Sequence, residues 1–386
     1  MLEYPELSLD RFDGANLNAS MYFLSHCHSD HMVGLDSPIL EEHLRSSPQT
    51  RIICHEITAG LLRGSQRYKH LSDFLDVLSI DTAHLMEIPP VGLSSDSTNA
   101  YMINVTLVPA GHCPGSVMFV IDGKTGRVIY TGDFRFDIGD VRKISVLFDD
   151  RESLRLPIES VYVDTTFCTK EAYRIPSRQI CFDAIIKVIS EWTSCQGRAV
   201  HVQTNYDYGY EFLIMTISRY FDTKIHVSEF QYNRYRLVET IKRCLTLNSR
   251  ETFIHFCRDV SHTFKNANQI SCLHEKEVLN IIPSVMYFAR AYDPSQLMKK
   301  DKRGLRLCYS THSSYEEVVD FLKALSPRNI YPNVIPNGKG SLHEVRDDLK
   351  FLQQSDISFP VTGTISFRKR KNVHHVPEIP EATPKK

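Results

Sequence analysis

The run His26-Cys27-His28-Ser29-Asp30-His31 constrains this chain more than any other feature. It follows Tyr22-Phe23-Leu24, an apolar stretch that reads as a strand, so the run falls on the loop at a strand end. In a tight turn, histidines two residues apart can converge on one cation. Asp30 and His31 can face a second cation a few ångströms away. Imidazole nitrogen and carboxylate oxygen are ligands that zinc accepts, and a catalytic zinc keeps one position open for water.

Two later motifs complete the set. Gly111-His112-Cys113-Pro114-Gly115 follows a β-rich run at Val105–Pro109, and Thr131-Gly132-Asp133 ends the run Arg127–Tyr130. Either alone reads as a turn. At the ends of successive strands they supply what the first motif lacks. His26, His28 and His112 are expected on one metal, Asp30 and His31 on another, with Asp133 bridging both.

The rest of the chain sets the frame for that loop. It has 386 residues, and 45 Lys+Arg stand against 46 Asp+Glu. With 42% hydrophobic and 24% charged residues it is neither an acidic disordered tail nor a membrane array. No run reaches the roughly 18 apolar residues of a membrane helix, and the N-terminus lacks a signal-peptide pattern. The length suggests two to three domains. Ten scattered cysteines without a C-x-x-C pair read as reduced thiols of a cytosolic or nuclear protein. The near-zero charge argues mildly against a nucleic-acid binder.

Further elements follow from pattern. Val117–Ile121 and Arg127–Tyr130 flank the turn signal Asp122-Gly-Lys-Thr-Gly126, a hairpin. Arg51–Cys54 and Val161–Val163 read as strands. From residue 181 onward helix and strand alternate, which implies a parallel sheet. Lys299-Lys300-Asp301-Lys302-Arg303-Gly304 reads as a surface loop and boundary. Ser313…Glu316 and Ser341…Glu344 read as capping boxes. Their helices would bury Val318, Val319, Leu322 and Leu325, and Leu342, Val345, Leu349 and Leu352. Ile330–Ile335 reads as a strand. The polar, proline-spaced tail from Ser366 reads as disordered. In the middle of the chain His226, His255, Cys257 and Cys272 have the composition of a closed structural zinc site. Their spacing is not that of a zinc finger, and the same residues also read as ordinary strand positions.

H-x-H-x-D-H followed by G-H and T-G-D resembles the metallo-β-lactamase signature. Asp10, in Leu9-Asp10-Arg11-Phe12, matches the early acidic motif of that superfamily. Asp164 in Val163-Asp164-Thr165-Thr166-Phe167-Cys168, His312 in Tyr309-Ser310-Thr311-His312-Ser313-Ser314, and Tyr331-Pro332-Asn333-Val334-Ile335-Pro336 are similar to the three added motifs of its β-CASP nuclease family, DNA-crosslink-repair branch. RNA-cleaving branches carry histidine in the third of these motifs, and Val334 there favours DNA.

The resemblance implies an α/β fold, a metallo-β-lactamase αββα sandwich (1–167 and 306–361) with an inserted β-CASP α/β domain (168–305) and a disordered basic tail (362–386). It implies a metal-dependent 5′-to-3′ exonuclease and structure-specific endonuclease acting on DNA ends, hairpins and overhangs in non-homologous end joining. A 5′ exonuclease of crosslink repair and an RNA-processing nuclease are the alternatives. It implies Zn2+ at the catalytic and structural sites, with Mg2+ or Mn2+ an alternative at the second catalytic position. Asp10 would act as a positioning group, Asp164 would contact the second metal, and His312 would hold a phosphate oxygen or protonate the leaving oxygen. Thr166 and Ser310 are candidates for binding a terminal phosphate, and ordinary turn roles remain open for both. The implied partners are DNA and, through a longer tail, the DNA-dependent protein kinase and DNA ligase IV. A nuclear monomer without membrane contact completes the picture. DNA grip would come from Lys299, Lys300, Lys302, Arg303 and Arg306 and from Arg368-Lys369-Arg370-Lys371, with Tyr206, Tyr208 and Tyr210 as possible base-stacking groups. Either basic run reads equally as a solvated loop, and the tail run also as a nuclear import signal.

Overall fold

The computed structural model describes residues 1–89, 100–204, 208–236, 238–258, 271–273, 276–289, 296–336 and 338–353. Tyr206, the run 368–371 and the tail 362–386 lie outside the described residues.

Alternation of buried side chains builds two facing sheets. The first is parallel, in the order β1 (Leu7–Leu9), β2 (Met21–Phe23), β3 (Ile52–His55), β4 (Leu75–Leu78). The second runs through β5 (Ala83–Ile88), β6 (Tyr101–Pro109), β7 (Val117–Gly123), β8 (Gly126–Tyr130) and β9 (Ile158–Val163). Met21, Phe23 and Ile53 of the first sheet share one core with Val105, Leu107, Val117, Phe119, Ile121 and Val128 of the second. The intervening residues face outward. Tyr22, Leu24, Ile52 and Cys54 pack with Leu40, Leu44, Ala59 and Leu62 of the helices Pro38–Ser46 and Glu56–Gly64. Met118, Val120 and Ile129 pack with Val318, Phe321, Leu322, Val345 and Leu349 of the helices Tyr315–Leu325 and Leu342–Leu349. Period-2 burial on both faces of both sheets is what a helix-sheet-sheet-helix sandwich demands.

A third sheet holds β10 (Arg198–Val202), β11 (Ile225–His226), β12 (Leu245–Thr246), β13 (Ile254–His255), β14 (Glu277–Pro283), β15 (Met298–Asp301) and β16 (Gly304–Leu307). Its order is β12-β11-β13-β10-β14-β16-β15. Only its edge pair, β15 with β16, is antiparallel among the described strands. The chain then returns to the second sheet, where β17 (Asn329–Pro332) pairs in parallel with β9.

Several sequence expectations are corrected. The surface loop expected over 299–304 is a hairpin, with Lys300 opposite Leu305. An edge strand lined with lysines is protected against pairing with another chain, and that makes it look like a loop. The first capping box is shifted by one residue. Ser314, not Ser313, caps the helix, and Glu317 accepts the Ser314 N–H in return. Ser313 instead accepts from the Phe136 N–H, and Glu316 pairs with Arg174. The second box is half formed: Ser341 accepts from the Glu344 N–H, while the Glu344 carboxylate accepts from the Gly340 N–H. Leu342, expected inside, is exposed, and Val319 is only half-buried beside the unanticipated Phe321. The strand expected over 330–335 ends at Pro332.

Candidate metal centre

The three motif loops leave the strands β2, β6 and β8 at the same end of the sandwich, and two of their turns depend on glycine. Gly111 has φ +70° and Gly132 has φ +51°. A Cβ on Gly132 would stand 2.7 Å from Ser25, and one on Gly111 would stand 2.6 Å from the Arg135 carbonyl. The loops are thereby packed too closely for a side chain at either position.

Hydrogen bonds then aim the imidazoles. Asp10 accepts from the Ser25 N–H (2.7 Å) and Ser25 hydroxyl (2.6 Å), from the Tyr130 hydroxyl (3.0 Å) and from His31 Nδ1 (2.7 Å). The Ser25 hydroxyl, having given its proton to Asp10, accepts from His26 Nδ1 (2.9 Å). His112 Nδ1 donates to the Thr311 carbonyl (2.8 Å), and His312 Nδ1 to Asp164 (2.9 Å). In all four rings Nδ1 is held by an outer partner and Nε2 faces inward, the arrangement by which proteins orient metal-binding histidines.

The inward atoms form two sets. His28 Nδ1 lies 3.0 Å from His26 Nε2 and 2.9 Å from His112 Nε2. Asp133 Oδ2 lies 3.6 and 3.5 Å from the latter two. Asp133 Oδ1 faces the other way, 3.2 Å from His31 Nε2, which is itself 3.7 Å from Asp30. A tetrahedral ion with bonds of about 2.1 Å has ligand edges of roughly 3.4 Å, close to these spacings. Burial and the neighbouring imidazoles push His26 and His112 well below the ordinary histidine value, so they present lone pairs, not protons. Converging lone pairs repel one another unless a cation lies between them, and the donor set fits one. Burial works against charge on His31, but Asp10 and Asp133 outweigh it and raise its pKa well above the usual value.

Asp164 is buried. Its Oδ1 accepts from the Thr166 N–H and hydroxyl, and its Oδ2 from His312. The Ser310 hydroxyl donates to the His312 carbonyl and accepts from the His312 N–H. Both hydroxyls singled out for phosphate therefore serve first to shape the turns that carry Asp164 and His312. Tyr208 packs its ring 5.9 Å from that of His28, and Tyr210 stacks on Tyr309. Packing is thus the role the structure gives both tyrosines.

The site opens into a cavity of about 1150 Å³, above the range of roughly 300–1,000 Å³ usual for small-molecule pockets. Arg67, Arg234, Arg236 and Arg258 line it together with Phe167 and Met286. Sequence reading missed these arginines because they are dispersed along the chain. It also missed Ser25 and Tyr130, although each directly precedes a motif.

A second cluster joins β11 to β13, where His226 and His255 stand in register. Their Nδ1 atoms are 3.0 Å apart, Cys257 and Cys272 Sγ are 3.6 Å apart, and Cys272 lies 3.8 and 3.7 Å from the two rings. All four donors fall within 4.8 Å of one another. Hydrogen bonding from Cys257, then from the two histidines, holds the Cys272 thiol down at about 2.

A sandwich that carries such a loop set at one end is a metallo-β-lactamase architecture. Residues 239–338 match the family described as DNA repair metallo-beta-lactamase, and residues 6–154 match Anti-Pycsar protein Apyc1. The chain is similar to Protein artemis of Danio rerio, 39% identical over 88% of this chain and 53% of that one. It is 36% identical to Protein artemis of Homo sapiens over 93% of this chain and 52% of the relative. It is 28% identical to the 5′ exonuclease Apollo of Rattus norvegicus over 82% and 51%. The chain spans about half the length of the curated relatives it matches.

Proposed function

We propose that the chain is a metal-dependent DNA nuclease that hydrolyses phosphodiesters at DNA ends, hairpins and overhangs, and that it acts in the nucleus in double-strand break repair by end joining. In this reading residues 168–305 are the β-CASP insertion in a metallo-β-lactamase domain. Contacts to the DNA-dependent protein kinase and DNA ligase IV belong to a longer form. The observation that carries the reading is the Asp133 carboxylate, with one oxygen on each of two donor sets at the mouth of a cavity lined with arginines.

His26, His28, His112 and Asp133 would hold one zinc, and Asp30, His31 and Asp133 a second ion, with magnesium or manganese also suited to this oxygen-richer position. Ions there would activate water and stabilise charge on the phosphoryl oxygens. The chain's own groups do the rest. Asp10 fixes the His31 ring, and Asp164 fixes His312. Burial opposes charge on His312, but Asp164 and Asp133 outweigh it and raise its pKa, which favours a second proton on the ring. From Nε2 it can donate that proton to the departing 3′ oxygen, leaving a 5′-phosphate and a 3′-hydroxyl. His226, His255, Cys257 and Cys272 would close a structural zinc site that ties β11 to β13.

The test is cleavage of 5′-phosphorylated single strands, overhangs and hairpins, with RNA strands alongside. His28→Ala and Asp133→Ala should abolish metal-dependent DNA cleavage while circular dichroism and elution volume stay unchanged. Normal cleavage by either purified variant would overturn the site assignment. Cys257→Ala should lose one zinc per chain by elemental analysis, and an unchanged content would remove the structural site.

A further inference from the structure

Glu211 is a buried carboxylate, 6% exposed, that the chemistry above leaves without a task. It opens the helix Glu211–Tyr220 and folds back on the preceding turn, where both its oxygens accept the Gly209 N–H (3.0 and 2.8 Å). The Tyr235 hydroxyl donates to it at 2.5 Å. Burial raises its pKa, against those hydrogen bonds, so the site is an expensive place for a carboxylate. Burial of that kind needs a compensating role.

The turn it grips is clamped from the other side as well. The Tyr309 hydroxyl donates to the Gly209 carbonyl at 3.3 Å. Gly209 has φ +109°, and a Cβ there would stand 2.8 Å from Thr311 Cγ2. The turn is therefore pressed against Thr311, whose carbonyl takes the Nδ1 proton of His112 and so leaves His112 Nε2 bare. The same turn lays Tyr208 against the His28 ring, and Arg234 donates to the Tyr208 hydroxyl at 2.9 Å. Arg178 adds a hydrogen bond to the Gly111 carbonyl, one residue from His112.

We propose that Glu211 is a positioning residue for the metal centre. By locking the turn 208–210 against Thr311 and His28, it sets the tautomer and aim of His112. Ligand geometry in the sandwich is thereby completed by the segment that follows β10. The proposal rests on the reading of His112 as a metal ligand.

The test measures zinc dissociation constants by competition with a chromophoric chelator, with melting of metal-free and metal-loaded protein in parallel. His112→Ala identifies the binding step that belongs to the centre. Glu211→Gln keeps the side-chain shape but places an amide against the Gly209 N–H or Tyr235. It should weaken zinc at that step by about 10- to 100-fold, the usual effect of losing a group that orients a ligand. The metal-loaded melting point should fall further than the metal-free one. Tyr235→Phe, which deletes one hydroxyl, should shift the same step in the same direction by less, and carries the test if the first variant is insoluble. If His112→Ala weakens zinc while Glu211→Gln and Tyr235→Phe leave the constant unchanged and merely lower both melting points equally, Glu211 is structural only and the proposal fails. If His112→Ala itself leaves zinc binding unchanged, the reading of the site fails instead.

Discussion

Asp10 has φ +53°, a backbone conformation uncommon for a residue with a side chain. The cost is offset by four hydrogen bonds, all accepted by its carboxylate, that make it the hub of the centre: Ser25 twice, Tyr130 and His31. Asp10→Ala strands the buried Ser25 N–H and Tyr130 hydroxyl, and each orphan costs about 1–3 kcal/mol. Urea unfolding of metal-free protein should therefore show a loss of several times the roughly 1 kcal/mol typical of a point mutant. A loss under that typical value would show that water replaces Asp10 at little cost. Asp10 was readable as part of a motif. Its grip on Ser25 and Tyr130 was not, because hydroxyls next to a motif look like ordinary turn and strand residues until the two sheets face each other.

The helix Tyr315–Leu325 shows how an element can be legible while its fastening is not. Apolar spacing located it, but of two adjacent serines Ser313 reads as the cap, one residue early. The structure decides in favour of Ser314 because Glu317 has a second task. Its other oxygen lies 3.0 Å from the buried Arg135, which also donates to the His312 and Pro176 carbonyls. Arg135 follows Asp133 by two residues, so the helix start is bonded to the loop that carries the bridging carboxylate. Burial raises the Glu317 pKa and lowers that of Arg135, so the pair adds little net stability, yet removing one partner leaves an uncompensated charge. Glu317→Ala should cost about 3–5 kcal/mol, whereas Glu344→Ala, at the exposed half-formed cap, should cost far less. Equal losses in denaturant titrations would contradict this difference. The first strand of the edge hairpin, Met298–Asp301, was illegible for a different reason, although a strand was expected from Leu305 onward. Its charged residues carry no period-2 hydrophobic signal, since an edge strand has one side in water.

At the scale of the molecule, the formal charge of −1 conceals a segregation. Asp10, Asp30, Asp133 and Asp164 gather at the candidate centre, where bound dications would oppose them, a contribution the formal count omits. Lys299, Lys300, Lys302 and Arg303 project from the edge hairpin, all four exposed. Arg67, Arg234, Arg236 and Arg258 reach the cavity from separate parts of the chain. Composition could not reveal this, because it averages over positions that only folding separates. If the hairpin meets DNA phosphates, the double variant Lys302→Glu/Arg303→Glu should weaken binding at low salt. It should also reduce the slope of log affinity against log salt by about 1 for each phosphate that the variant no longer neutralises. Zinc content and cleavage of a short single strand at saturating concentration should stay as in the wild type, because the hairpin tip lies outside the donor sets. Chelation should weaken binding by the wild type and the variant alike, since it removes positive charge from the centre in both. An unchanged salt slope in the variant would place the DNA on the arginine-lined cavity alone, and binding indifferent to both salt and chelation would remove electrostatics as the source of affinity.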